Sequence, residues 1–209
     1  MSQSSPDTCS NATQLQDLLS RGKDDPKRVL VVLDVQHNML ADPPAGIPAG
    51  AIVGPNIAEI LAHARAASPP PRIVHIRNCG DAGEPDECGT AGWHLVHEPC
   101  DGEFVVDKRK NNAFSGTALD RIVPATSEII MVGMQSDFCI RATCSAALSR
   151  GNEVLLVRGA HATYDRIEYH NHGLITTAAE VEREIEGELE EAGVIMLEMK
   201  DLPGMFTNR

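Results

Sequence analysis

Residues 28–34 read RVLVVLD. An almost wholly apolar, β-branched run that ends in an acid is the pattern of a strand buried on both faces, and such strands belong to parallel sheets. Working outward, RIVHIR (72–77), EFVVDK (103–108), SEIIMVG (127–133), EVLLVRG (153–159) and VIMLEM (194–199) repeat the pattern. Helical spacing fills the intervals. After Gly54-Pro55 the apolar residues fall at Ile57, Ile60, Leu61 and Ala64, and the prolines at 69–71 stop that helix. SGTALDRIV (115–123) gives a short helix. Cys139 to Arg150 carries Ile140, Cys144, Ala147 and Leu148 and closes at Gly151, and Ile175 to Ala192 carries Ala178, Val181, Ile185 and Leu189 and closes at Gly193.

Strands alternate with helices, with no internal repeat and no shift in composition. This predicts an α/β fold: a three-layer α/β/α Rossmann-like domain with a mostly parallel sheet of about six strands. It spans residues 28–209, behind a polar N-terminal extension, 1–27. Thirty acidic against eighteen basic residues give a formal charge of −12. That field opposes binding to nucleic acid or to an anionic membrane surface. The first thirty residues lack a basic flank followed by an apolar stretch, and no apolar run reaches the length of a membrane span. The expected setting is cytoplasmic, and a homo-oligomer, dimer or tetramer, is expected. The six cysteines show no CxxC pair. In that setting Cys79, Cys88, Cys100 and Cys144 are expected to be free thiols.

Ligands of parallel α/β folds sit at the carboxyl ends of strands. Three reactive residues end or follow apolar strands: Asp34, Lys108 and Cys139. Singly, each has a bland reading as a turn cap, a solvated amine or a small core residue. Together they supply a nucleophile, a proton carrier and a cation. A thiol at a helix start beside an ammonium is predicted to ionise near neutral pH. The long irregular stretch from Asn78 to Asp101 has the length of a functional loop. His94 and His97 could pair on one turn but lack a third ligand, so no metal is expected. Neither GxGxxG nor GxxxxGK[ST] is present, and no cofactor is expected.

Four stretches resemble the isochorismatase-like cysteine hydrolases, the group that includes nicotinamidase, carbamoylsarcosine amidohydrolase, ureidoacrylate and biuret hydrolases and streptothricin hydrolase. They are VVLDVQ (31–36), DKRKNNAF (107–114), VGMQSDFCIRAT (132–143) and RGAHATYD (158–165). The likeness runs over roughly residues 28–197, and the last stretch is most similar to the streptothricin hydrolase branch. It implies Asp34, Lys108 (not Lys110) and Cys139 as the catalytic residues. It also implies a cis peptide between Met134 and Gln135, with the backbone N–H groups of Gln135 and Cys139 as an oxyanion hole. The metal-binding Asp-x-His pair of the nicotinamidases has no counterpart, because Asp42 is followed by Pro43 and Pro44. True isochorismatases have a glycine where Cys139 stands. The implied activity is therefore hydrolysis of a C–N bond in a small amide, ureide or lactam, through a thioester. The alternatives are vinyl ether hydrolysis running on Asp34 without the cysteine, and a non-catalytic member acting by protein contacts. Trp93 and Phe114 fall where relatives shape the pocket, and the bland reading of both is core. His37, Met39, Gln135 and Phe138 flank the three residues in sequence, and Tyr164 could reach the mouth.

Overall fold

The computed structural model describes residues 26–170 and 172–207; most of the N-terminal extension, through residue 25, lies outside them. Six parallel strands form the central sheet: β1 (Arg28–Leu33), β2 (Arg72–Asn78), β3 (Phe104–Lys108), β4 (Glu128–Met134), β5 (Glu153–Ala162) and, at the far edge, β8 (Ile195–Leu197). Their order is β3-β2-β1-β4-β5-β8. The chain winds from β1 out to β3, then returns to pair β4 with the other side of β1. The carboxyl ends of β1 and β4 are the place where the winding reverses, and a crevice opens there in such sheets.

Alternation along β1 divides the core. Val29, Val31 and Leu33 face one layer, with α2 (Leu119–Ile122), α3 (Arg141–Arg150) and α4 (Ala178–Glu191). Leu30 and Val32 face the other, with α1 (Gly50–Ala66) and the closing turn α5 (Leu202–Met205). β1 is buried on both faces, which explains its near-continuous apolar run. Glu103, just before β3, ties α1 to the sheet. Arg65 of α1 donates to its two oxygens at 2.7 and 2.9 Å, the Cys100 N–H donates at 3.0 Å, and His75 Nε2 lies at 2.8 Å.

Four expectations are corrected. The first helix opens at Gly50, ahead of Gly54-Pro55, and Pro55 inside it forfeits only one main-chain bond. Ile175 lies in a strand: a two-stranded antiparallel hairpin, β6 (Arg166–Glu168) and β7 (Leu174–Thr176), precedes α4. The helix starts only at Ala178, where Glu180 accepts from the Thr177 N–H at 2.9 Å. The segment expected as one helix from Cys139 begins as a π turn, Ser136–Ile140, and becomes α3 only at Arg141. Finally, Cys79 and Cys88 form a disulfide and are not free thiols. The chain after β2 turns back on itself, with Gly80 bridged to Glu87, and brings the two sulfurs together. Cys100 and Cys144 carry free thiols.

Candidate active site

The sheet delivers Asp34, Lys108 and Cys139 to one point. Asp34 follows β1 at the left-handed φ of 54°, a conformation that aspartate tolerates better than most residues. Such backbone is found mainly where surrounding structure over-determines it. Gly133, near the end of β4, has φ 124°, and a Cβ there would lie 1.9 Å from Leu33 O. Only glycine lets β4 run this close to β1. The Met134–Gln135 peptide is cis. Beyond it Gln135 O accepts from the N–H groups of Phe138 and Ile140, at 3.2 and 3.0 Å, and winds the π turn that carries Cys139.

Lys108 stands at the centre. Its side chain is fully buried, and Nζ reaches Asp34 Oδ2 at 2.8 Å, Asn78 Oδ1 at 3.0 Å and Cys139 Sγ at 3.1 Å. Three acceptors match the three hydrogens of an ammonium. Asp34 is less well served. Its Oδ1 is buried without a hydrogen bond of normal geometry, although the Cys139 thiol interacts with the same carboxyl.

Electrostatics follow from this packing. Burial raises the Asp34 carboxyl above the ordinary range, against the downward pull of Lys108 and the thiol, and Asp86 adds a further push upward. Burial lowers the Lys108 ammonium, but the charges of Asp34 and Cys139 more than offset it and hold the amine above its usual range. The Cys139 thiol is pushed up to about 12, first by burial and next by the Asp34 carboxylate, with Lys108 opposing. This corrects the expectation of a thiol ionised near neutral pH. A helix start and an ammonium do not outweigh desolvation with a carboxylate alongside. The site therefore holds a neutral thiol beside the Asp34 carboxyl.

The other candidates are distributed unevenly. Met39 lies near Gln135, with Sδ 3.9 Å from its Nε2. Phe138, next to Cys139 in sequence, is 50% exposed. His37 is exposed, its main-chain N–H donating to His94 O at 3.0 Å. Tyr164 donates its hydroxyl to Ala45 O at 3.1 Å. Of the two readings of Trp93 and Phe114, packing describes what each ring does. The Trp93 ring is buried under the Arg77 guanidinium, 3.3 Å from its centroid, and its N–H points at Cys79 Sγ. Phe114 is partly buried and packs against the core under Arg150, at the far end of α3 from Cys139. Among the described residues no group of three His, Cys, Asp or Glu side chains is placed to hold a metal ion, His94 and His97 included.

Four polar residues around the site escaped the sequence reading; one of them, Asn111, has its Oδ1 3.9 Å from Cys139 Sγ. Gln36 is fully buried, and its amide grips the Asn78 main chain on both sides, accepting from N at 2.8 Å and donating to O at 3.0 Å. Asn78 in turn contacts Lys108, and Asp86 contacts Asn78 at 2.7 Å. Position could have revealed Asn78. It ends the strand that must lie between Asp34 and Lys108.

The family model for the isochorismatase domain matches residues 28–184. Two streptothricin hydrolases from Streptomyces noursei are 37% and 36% identical over 142 and 144 residues, which is 66% and 67% of this chain. The chain spans about half the length of these curated relatives, 50% and 56%. An isochorismatase from Pseudomonas putida KT2440 superimposes with a TM-score of 0.76 at 23% identity, covering 90% of this chain and 97% of that one. The pyrazinamidase of Pyrococcus horikoshii, solved in complex with zinc, gives 0.69 at 20% identity, covering 83% and 99%. At that level of identity the two structures speak to the fold. The family match takes in Asp34, Lys108 and Cys139 together with the strands that present them, and the chain belongs to the isochorismatase family.

Proposed function

We propose that this chain is a cysteine-dependent hydrolase that cleaves a C–N bond in a small amide, ureide or lactam through a thioester. The observation that carries this reading is the placement of one buried ammonium between an acid and a thiol, at 2.8 and 3.1 Å. The relation to the streptothricin hydrolases favours the same side of the family.

In this reading Asp34 accepts the thiol proton as Cys139 Sγ attacks the substrate carbonyl carbon. The amides of Gln135 and Cys139 hold the oxyanion that forms. A carboxyl raised above its ordinary range keeps a proton well enough to return it. Asp34 delivers that proton to the nitrogen as the C–N bond breaks, and the amine leaves. The thioester remains on Cys139. Water then gives a proton to the Asp34 carboxylate and attacks the thioester carbon. The C–S bond breaks, the acid departs, and the sulfur takes its proton back from Asp34. Lys108 stays protonated throughout and offsets the negative charge that passes between oxygen and sulfur. A homo-oligomer of such catalytic units remains part of the proposal.

The test is a panel of small amides, ureides and lactams scored for release of ammonia or amine, before and after treatment with iodoacetamide. Turnover of at least one class, abolished when Cys139 is alkylated, is the expected result. Activity that survives complete alkylation of Cys139 would overturn the covalent mechanism.

A further inference from the structure

The Asn78 side chain faces two charged groups at once. Its Oδ1 accepts from Lys108 Nζ at 3.0 Å, and its Nδ2 donates to Asp86 Oδ2 at 2.7 Å. An ammonium only donates and a carboxylate only accepts, so one orientation of the amide satisfies both neighbours. Reversed, it would turn its NH₂ onto the lysine. Lys108 and Asp86 thus select the same orientation of Asn78 from its two ends.

Asp86 is itself unusual. It is 7% exposed and makes no ion pair with a basic side chain among the described residues. A buried carboxylate without a cation is costly, so something must hold it there. The loop does: Gly80 N donates to Asp86 O at 2.9 Å, and a Cβ on Gly80 would come within 2.2 Å of Asp86 Oδ1. The Cys79–Cys88 disulfide closes the same loop around the acid. The Asn78 main chain is fixed separately by Gln36. Only the orientation of the Asn78 amide is left for Asp86 to set.

We propose that Asn78 and Asp86 are positioning residues for Lys108. Asp86 orients the Asn78 amide, and the Asn78 carbonyl oxygen holds the ammonium between Asp34 and Cys139. Without that third acceptor the amine swings toward Asp34 and away from sulfur. The idea rests on the catalytic reading of Asp34, Lys108 and Cys139.

The full chain carrying Asn78→Leu, Asp86→Ala or Asp86→Asn is compared with wild type in three measurements. These are kcat and KM on an amide substrate, the rate of Cys139 alkylation by iodoacetamide at one pH with the site located by peptide mass spectrometry, and thermal unfolding. Asn78→Leu and Asp86→Ala should lower kcat about tenfold or more while KM moves less than about threefold, the mark of a displaced catalytic group. Alkylation should slow in the same two variants. Asp86→Asn keeps an oxygen that accepts from Asn78 Nδ2 and should recover most of the lost rate. A purely structural role would lower the melting temperature without this split. Wild-type rates in Asn78→Leu, or an Asp86→Asn variant as impaired as Asp86→Ala, would overturn the proposal. Should Asn78→Leu not fold, the two Asp86 variants decide alone. Should wild type hydrolyse no amide, the functional reading fails, while the alkylation contrast still decides the positioning role.

Discussion

Two buried carboxylates, each beside a cation, lie on the same half of the sheet and behave in opposite ways. Burial pushes Glu103 up, but the Arg65 fork, the Cys100 N–H and His75 more than reverse it and hold the carboxyl at about 2. Asp34 touches an ammonium at 2.8 Å and is nevertheless raised. Asp34 is the more deeply buried of the two, and it has fewer donors. Glu103 has both oxygens occupied, whereas Asp34 leaves Oδ1 without a normal hydrogen bond. An acid and a base in contact are thus a brace where every lone pair is used and a reactive group where one is withheld.

The most direct way to sharpen that contrast is Cys139→Ala. Hydrolysis should fall by about 10⁴-fold or more, since a nucleophile has no substitute, with a melting temperature within about 2 °C of wild type. Amine release and calorimetry measure the two. A variant still turning over at the wild-type rate would remove Cys139 from the chemistry and leave Asp34 to act without a thiol.

Lys108→Met comes next and turns the contrast into a pH dependence. Loss of the ammonium should lower kcat by about 10²-fold, the size expected for one electrostatic contact to the reacting groups. It should also raise the Asp34 carboxyl further. An acid raised in the folded state stabilises fully below its unfolded pKa, near 4, and loses that stability as pH climbs through the folded value. The variant should therefore lose melting temperature relative to wild type as pH increases from about 4 to 7. A gap independent of pH would mean that Lys108 does not govern Asp34.

Glu103→Gln should have the smallest effect on catalysis and the opposite pH sign. Losing hydrogen bonds to a charged acceptor costs on the order of 2 kcal/mol, while kcat should stay within about threefold. A carboxyl held at about 2 contributes its stability above its unfolded pKa and loses it as pH falls through the folded value. Thermal melts should show the widest gap from wild type above pH 4.5 or so, closing toward pH 2. A gap that widens on acidification would reverse the assignment of the two acids.

The parts of this molecule that were legible in its sequence are those set by burial. Each of the six sheet strands announces itself as an apolar run, and Asp34, Lys108 and Cys139 stand where such runs end. The parts that were not legible depend on what the fold brings near. The strands β6 and β7 are three residues each in a polar segment, too short for periodicity to register. Cys79 and Cys88 are joined by a turn that spacing alone does not reveal. The direction of the Cys139 shift was misread because a helix start and a lysine are visible in sequence, while the weight of burial and of Asp34 is not. Trp93, a natural pocket residue by type, turned out to be consumed by Arg77 and Cys79.

The lysine bridge has a consequence for how the molecule comes into being. Lys108 on β3 reaches Asp34 over an intervening strand, and Cys139 arrives only after β4 has paired with β1. None of these contacts is local in sequence, so each waits on chain segments that must find one another against loop-closure entropy. Pairing of β1, β2 and β3 already brings Asp34, Asn78 and Lys108 together, and Cys139 is the part that waits for β4. The three groups therefore meet only when four strands stand in their final order.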